Sequence, residues 1–143
     1  MGALTKERPG RTEKISRAKV KLAEGARAIK GGAAVLDTDP ASKTRGYYLP
    51  AKAADKLVAR GRFRETVDNT GGKNGARVVE VDFHRIFEVI WWDNDTTAPV
   101  TEADRGSNCF FTDDHTVSSD ATGRSSAGRV FDVEGNFVLV EVG

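Results

Sequence analysis

The side chains that could support catalysis are few and lie far apart in the chain. The sequence holds two histidines, His84 and His115, and a single cysteine, Cys109. A nucleophile needs a base beside it, and that base needs an orienting partner. His84 lies in a strand-like run and Cys109 precedes two phenylalanines, which favours packing or surface roles for both. The pattern therefore favours a protein that is not an enzyme and needs no cofactor.

Two acidic segments could place oxygen ligands around a divalent cation. Asp93, Asp95 and Asp104 stand at the first, third and twelfth positions of a calcium-type loop. The sixth position, where such loops turn sharply at glycine, is Ala98, so we interpret this segment as a polar corner followed by a capped turn. The second segment is Asp113-Asp114-His115. Three neighbours on one loop rarely converge unaided, so we interpret it as a solvated turn.

Length and composition limit the class of protein. A chain of 143 residues is expected to form one domain. No apolar run approaches the ~20 residues that span a bilayer, so no membrane contact is expected. The first ten residues do not resemble a secretory signal, and one cysteine fits a reducing interior.

Charge is divided unevenly along the chain, although 22 basic and 21 acidic residues give a net charge of only +1. Residues 1–92 hold 19 basic and 11 acidic residues, a net charge of +8, whereas residues 93–143 hold 3 and 10, a net charge of −7. A chain with ends of opposite charge can attract copies of itself, or hold a basic arm against an acidic partner.

The first part of the chain has the composition of an extended arm. Residues 1–17 are polar, contain Pro9 and Gly10, and lack a sustained apolar period. They are interpreted either as a frayed terminus or as an arm that becomes ordered on a partner. The basic residues that could contact a capsid or a neighbouring copy are Lys6, Arg8, Arg11, Lys14 and Arg17.

Residues 18–143 have the pattern of a single β-rich domain. Val79, Val81 and Phe83 alternate with acidic residues, and residues 137–142 are the strongest strand-like run. Eight or nine short strands predict an all-β fold, either a compact β-sandwich or a small β-barrel. Residues 101–106 predict the one short helical turn, because Thr101 can cap it and Gly106 can end it.

Trp91 and Trp92 are adjacent in a strand-like run, so their side chains should point to opposite faces. One can enter the core while the other faces solvent or a partner. Because tryptophan is enriched among interface anchors, both are candidate anchors in an assembly. The alternative is that both pack inside the fold, the second against another layer or a loop.

A basic stretch suggests a second functional hypothesis. Arg60, Arg62 and Arg64 alternate, so in a strand they share one face, and Phe63 lies among them. A basic stripe with an aromatic ring could follow the phosphates of a nucleic acid, as in a nucleic-acid-binding β-barrel. The alternative is a solvated or charge-paired strand face, and the acidic second half argues against a dedicated nucleic-acid binder.

Several short motifs follow one another in a characteristic order. A Gly61-Arg62 pair is followed by Val67-Asp68-Asn69 and a glycine-rich turn, then by an alternating strand and a phenylalanine-containing strand. Further elements follow at residues 101–106, 109–117, 125–130 and 137–140. This ordered set, spanning roughly residues 20–143, resembles small proteins encoded in the head gene clusters of tailed phages and Mu-like prophages.

The resemblance implies a capsid decoration, or cement, protein. Such a protein is a small β-rich domain on the outer surface of the phage head, synthesised in the host cytoplasm. The implied partners are the major capsid protein and further copies of the chain, as a trimer rather than a dimer, with a terminal arm bridging subunits. No membrane and no specific nucleic acid are among the implied partners.

Overall fold

The fold was determined as a computed structural model, which describes residues 16–83 and 88–141. Within these residues the chain forms short strands and one 3-10 turn, Glu102–Asp104, which confirms the all-β prediction and the single helical turn. The strands are Arg17–Lys21 (β1), Arg27–Ala28 (β2), Ala33–Asp37 (β3), Tyr48–Pro50 (β4), Leu57–Phe63 (β5), Val67–Asp68 (β6), Val78–Phe83 (β7), Val89–Asn94 (β8), Asn108–Phe111 (β9), Thr116–Ser118 (β10), Ser126–Glu134 (β11) and Phe137–Glu141 (β12).

The C-terminal strands form a small closed barrel in the order β10-β8-β12-β11-β9. All neighbours are antiparallel except β10 and β8, which are parallel. The β11–β12 hairpin turns at Gly135, whose φ of 57° lies in the left-handed region that glycine adopts without strain. Alternate residues of each strand fill the interior, among them Trp92, Phe111 and Val138.

The N-terminal strands form a five-stranded sheet in the order β1-β7-β5-β3-β4. The sheet curls until its ends meet, because Leu22 bridges Tyr48 and the Ala23 N–H donates to the Tyr48 carbonyl at 2.8 Å. This curl encloses a small apolar core that includes Phe63 and Val81. β2 and β6 pair separately as a short two-stranded sheet.

The two layers share strand β3 and therefore form one domain. Ala33 and Val35 belong to the larger core with the barrel, whereas Ala34 belongs to the core of the N-terminal sheet. The hydroxyl of buried Ser125 accepts from the Leu57 N–H at 2.9 Å and donates to the Ala54 carbonyl at 2.6 Å. These hydrogen bonds tie the residue that precedes β11 to the first residue of β5, the central strand of the N-terminal sheet, and to the loop before it.

Gly61 in β5 and Gly72 in the turn after β6 have no room for a Cβ. A Cβ at Gly61 would overlap the Asp82 carbonyl oxygen of the neighbouring strand. Asn69 is buried, and its Nδ2 donates to the carbonyls of Ala23 at 2.9 Å and Lys73 at 3.0 Å. A Cβ at Gly72 would overlap the Asn69 side-chain oxygen, so the amide and the glycine-rich turn form one unit.

The structure adds strands to the eight or nine expected and moves one boundary. The two-residue strands β2 and β6 were not predicted as separate elements, and β10 lies in a polar, turn-rich segment that did not indicate a strand. Arg17 was assigned to the arm, but it is the first residue of β1 and pairs with Asp82 of β7. No helix among the described residues is long and apolar enough to cross a membrane.

Candidate interaction faces

The sequence's charge split coincides with the two layers of the fold. Residues 16–83, which build the N-terminal sheet, hold 14 basic and 8 acidic residues, a net charge of +6. Residues 88–141, which build the barrel, hold 3 basic and 11 acidic residues, a net charge of −8. A fold with two oppositely charged ends has a field that orients it relative to other charged surfaces.

Five of the 14 basic residues of the N-terminal layer lie on the outer surface of β1, β7 and β5 or directly after β5, a surface that we call the basic face. Its members are Arg17, Lys19, Lys21, Arg62 and Arg64, with Glu80 and Asp82 between them. Arg64 pairs with Glu80 at 2.7 Å and Asp82 at 3.1 Å, and Arg17 lies 3.7 Å from Asp82. Among the described residues, Lys19, Lys21 and Arg62 make no ion pair, so their charges are available.

The barrel carries exposed apolar side chains on the outer surface of β8, β12 and β11, which we call the aromatic face. Trp91, Phe131 and Phe137 are 51%, 55% and 43% exposed, and the rings of Trp91 and Phe137 lie 5.9 Å apart. Leu139, the cross-strand partner of Trp91, is nearly covered although it points outward. Large exposed aromatic groups on a rigid sheet are typical of interaction sites.

Acidic residues surround the aromatic face. Asp93, Asp132, Glu134 and Glu141 lie on the same three strands, where Arg129 is the one basic residue. Three of the acids have a basic neighbour: Asp132 lies 2.9 Å from Arg105, Glu141 lies 3.5 Å from Arg129, and Asp93 lies 3.9 Å from the His115 imidazole. The face is therefore apolar at its centre and negative at its edge.

The two tryptophans point to opposite faces, as predicted, but only one remains a candidate anchor. Trp92 is 3% exposed and packs edge-on against Phe111 at 5.9 Å inside the barrel. The prediction of an interface role is therefore wrong for Trp92, because register with Val138 turns it inward. Trp91 keeps that candidate role.

No protein-family model, curated protein or solved structure matches the chain.

The predicted basic stripe is only partly available. Phe63 is buried in the N-terminal core, so it cannot stack on a base. Arg64 is neutralised by its two acidic partners, and the Arg60 guanidinium lies 5.5 Å from the centre of the Phe83 ring. This corrects the expectation that Phe63 and three arginines form one nucleic-acid surface, and it favours the charge-paired alternative for Arg64.

The acidic corner after β8 is held by its own backbone contacts. The Asn94 side chain exchanges two hydrogen bonds with Val100, at 2.8 and 2.9 Å. Asp95 accepts from the N–H groups of Thr97 and Ala98. Asp104 accepts from the Thr101 N–H at 2.8 Å. These contacts agree with the interpretation of a polar corner followed by a capped turn.

The segment Asp113-Asp114-His115 does converge, contrary to expectation. Ligand atoms of the three side chains lie within 4.8 Å of one another, a set that could hold a divalent cation. The His115 N–H donates to Asp113 at 2.9 Å, and this turn brings the side chains together. His115 Nδ1 lies 2.9 Å from Asp114 and its Nε2 3.9 Å from Asp93. The imidazole thus already serves as the partner of these carboxylates.

The stability contribution of His115 is expected to fall as pH rises. The hydrogen bond to Asp114, together with the charges of Asp113, Asp114 and Asp93, raises the pKa of His115 above its ordinary value. A group whose pKa is raised on folding contributes its full stabilisation of the folded state below its unfolded pKa, which is about 6.5 for histidine. It loses this contribution as the pH rises through the folded pKa. The effect is small, because the imidazole is largely exposed.

The matched variant for this prediction is His115→Gln, which keeps a hydrogen-bonding side chain without a titratable charge. Urea unfolding should show a larger difference between the wild type and His115→Gln at about pH 5.5 than at about pH 8.5. A difference that is independent of pH would contradict the assignment.

Cys109 is a core residue, as its sequence context indicated. It is fully buried in the barrel, and burial raises the pKa of its thiol to about 12. The thiolate is the reactive form, so a thiol with this pKa is a poor nucleophile at neutral pH.

We expect native Cys109 to resist thiol reagents. In the folded protein at pH 7, labelling with a disulfide reagent should be slower than in the urea-unfolded chain by several orders of magnitude, as measured by the release of its chromophore. Rapid stoichiometric labelling of the native protein would show that the thiol is accessible.

The remaining predicted residues cannot be placed on a face. Lys6, Arg8, Arg11 and Lys14 of the arm, and also His84, lie outside the described residues. The sequence reasoning missed Phe131 and Phe137 as exposed aromatic residues. Alternation from buried Val138 would have placed Phe137 outward.

Proposed function

We propose that the protein is a structural component of a virion that binds the outside of a tailed-phage head and stabilises the shell of major capsid protein. This is the role of the capsid decoration, or cement, proteins that the chain resembles. Its partners are the major capsid protein and further copies of itself, with a trimer favoured over a dimer. It is made in the host cytoplasm, acts on the outer surface of the head, and needs no catalytic step.

One observation carries the proposal. Residues of the motifs that resemble those of decoration proteins lie where strands approach closely and where the chain turns. Gly61 allows β5 and β7 to approach, and Asn69 and Gly72 form one hydrogen-bonded turn. Residues of this kind constrain how the backbone folds. Their ordered presence therefore supports an architecture in common with the decoration proteins.

The surface of the domain suits a protein that works by contact area. Its aromatic face offers rigid apolar anchors, and its layers have opposite charge. A single exposed ion pair contributes only about 0–1 kcal/mol. On a shell with many equivalent positions, repeated weak contacts give high avidity without any strong single contact.

The proposal is tested by mixing the purified protein with undecorated, expanded phage heads and sedimenting the heads. We expect saturable co-sedimentation and greater resistance of decorated heads to heat or chelation. Single-stranded DNA at low salt serves as the control ligand. Binding to DNA without binding to heads would favour the nucleic-acid alternative, and absence from both virions and pelleted heads would end the proposal.

Removal of residues 1–15 is expected to weaken head attachment while the domain still folds. The deletion stops before Arg17, because Arg17 belongs to β1 and pairs with Asp82. It removes Lys6, Arg8, Arg11 and Lys14, so attachment should weaken about tenfold or more if the arm bridges subunits. Co-sedimentation measures attachment, and thermal unfolding checks the fold. Unchanged attachment would show that the arm has no such role.

A further inference from the structure

We propose that the aromatic face of one copy binds the basic face of a second copy in a head-to-tail contact. The inference rests on the self-association that is part of the proposed function, but it needs no capsid. Both faces belong to rigid strands, on opposite layers of the fold. A copy whose aromatic face is occupied still presents its own basic face.

Charge complementarity identifies the occupant. The basic face carries five cations against Glu80 and Asp82, and the strands of the aromatic face carry four acids against one arginine. Lys19, Lys21 and Arg62 have no acidic partner among the described residues, and Glu134 likewise has no basic one. Charges left unmatched within one copy are matched when a second copy docks, while like faces repel one another.

The chemistry at the centre of the contact also fits. Arginine guanidinium groups and lysine ammonium groups bind favourably over the faces of tryptophan and phenylalanine rings. Trp91, Phe131 and Phe137 expose such rings, and Arg62 and Lys19 expose such cations. The fold already contains one contact of this type, between Arg60 and Phe83 at 5.5 Å. Apolar stems of the basic side chains would cover the rest of the aromatic surface.

A contact between two different faces has a defined consequence for assembly. Each copy can bind one neighbour through each face, so association closes into a ring when the rotation permits and otherwise continues as a filament. A contact between two identical faces would instead stop at a dimer. The two arrangements can therefore be distinguished by mixing a variant whose aromatic face is damaged with a variant whose basic face is damaged.

The experiment uses two variants of the full chain. The aromatic-face variant carries Trp91→Ser and Phe137→Ser, and the basic-face variant carries Lys19→Ser, Lys21→Ser and Arg62→Ser. All five residues are exposed, so both variants should keep the wild-type far-ultraviolet circular dichroism. Sedimentation velocity measures the mass of each variant alone and of their equimolar mixture.

Each variant alone should associate at least about 30-fold more weakly than the wild type, as expected for loss of an interface hot spot. The equimolar mixture should contain a 1:1 dimer and no larger species, because it retains one intact aromatic face and one intact basic face. Wild-type association should also weaken as salt rises from about 0.01 to about 1 M, where the Debye length falls from about 30 to about 3 Å.

Three results would overturn the inference. They are a wild type that stays at the 15.4 kDa monomer mass in low salt, a basic-face variant that associates as well as the wild type, and a mixture without a dimer. If either variant unfolds, the salt dependence of the wild type and the single substitution Trp91→Phe, which keeps a ring, still decide the matter. The assay contains no heads, so its failure leaves the head-binding proposal to be tested by co-sedimentation.

Discussion

Replacement of Trp92 by alanine is expected to lower the free energy of unfolding by about 3–5 kcal/mol, the range for a large aromatic residue in a core. Trp92 is 3% exposed, lies edge-on to Phe111, and is the cross-strand neighbour of Val138 inside the barrel. Its removal leaves a cavity at the centre of the larger core. A loss of this size is a large part of the about 5–15 kcal/mol that stabilises a typical domain.

The adjacent tryptophan supplies the matched control. Trp91 has the same side chain one residue earlier but is 51% exposed, so Trp91→Ala should change unfolding by less than about 1 kcal/mol. Trp92→Phe should lie between them, since it keeps an aromatic contact and removes an indole N–H that has no hydrogen-bond partner among the described residues. Urea unfolding followed by circular dichroism measures all three. Equal losses for Trp91→Ala and Trp92→Ala would contradict the placement of the barrel core.

The strands with strong local patterns were predictable, and those that depend on distant partners were not. β7 and β12 coincide to within one residue with the alternating run that begins at Val79 and with the apolar run at residues 137–142. β10 contains one apolar residue, Val117, and exists because it completes the barrel between β8 and β9. Such pairing depends on residues far away in the chain, which periodicity does not encode.

The candidate faces show the same division. Period-two alternation places Trp91 and Trp92 on opposite faces, but the register with β12 decides which of them is buried. The same alternation places Phe63 on the face opposite to Arg62 and Arg64. Its burial could therefore have been predicted from the sequence, and the hypothesis that it stacks on a base ignored this. Phe131 could not be assigned, because its exposure follows from a register shift between Val130 and Asp132.

The convergence of Asp113, Asp114 and His115 also required the folded backbone. Consecutive residues on an extended chain point apart, but an Asx turn at Asp113 reverses the chain here. The Asp114 carbonyl then accepts from the Ala33 N–H at 2.6 Å, which fixes the loop against the N-terminal sheet. The cluster therefore lies at the junction of the two layers, where this Ala33–Asp114 hydrogen bond contributes to their contact.

Gly61→Ala is expected to lower the free energy of unfolding by about 3 kcal/mol, at the upper end of the range for overpacking. The added Cβ would overlap the Asp82 carbonyl oxygen and lie 2.8 Å from its carbonyl carbon and 3.0 Å from the Phe83 Cα. All three are backbone atoms of β7, so no side-chain rotation can relieve the overlap. The strand must move away from β5, which also disturbs the β1–β7 pairing.

Gly46→Ala is the control for the general effect of replacing glycine. Gly46 has a φ of 87° and nothing within 4 Å of an added Cβ, so its substitution should cost only about 1 kcal/mol of backbone strain. Thermal or urea unfolding compares the two, and an equal effect would show that the overlap at Gly61 is relieved. Gly61 is the neighbour of Arg62, a residue of the basic face. The proposed contact therefore requires that Gly61→Ala weaken self-association only because less of the protein is folded. Arg62→Ser should weaken self-association while the free energy of unfolding stays at the wild-type value.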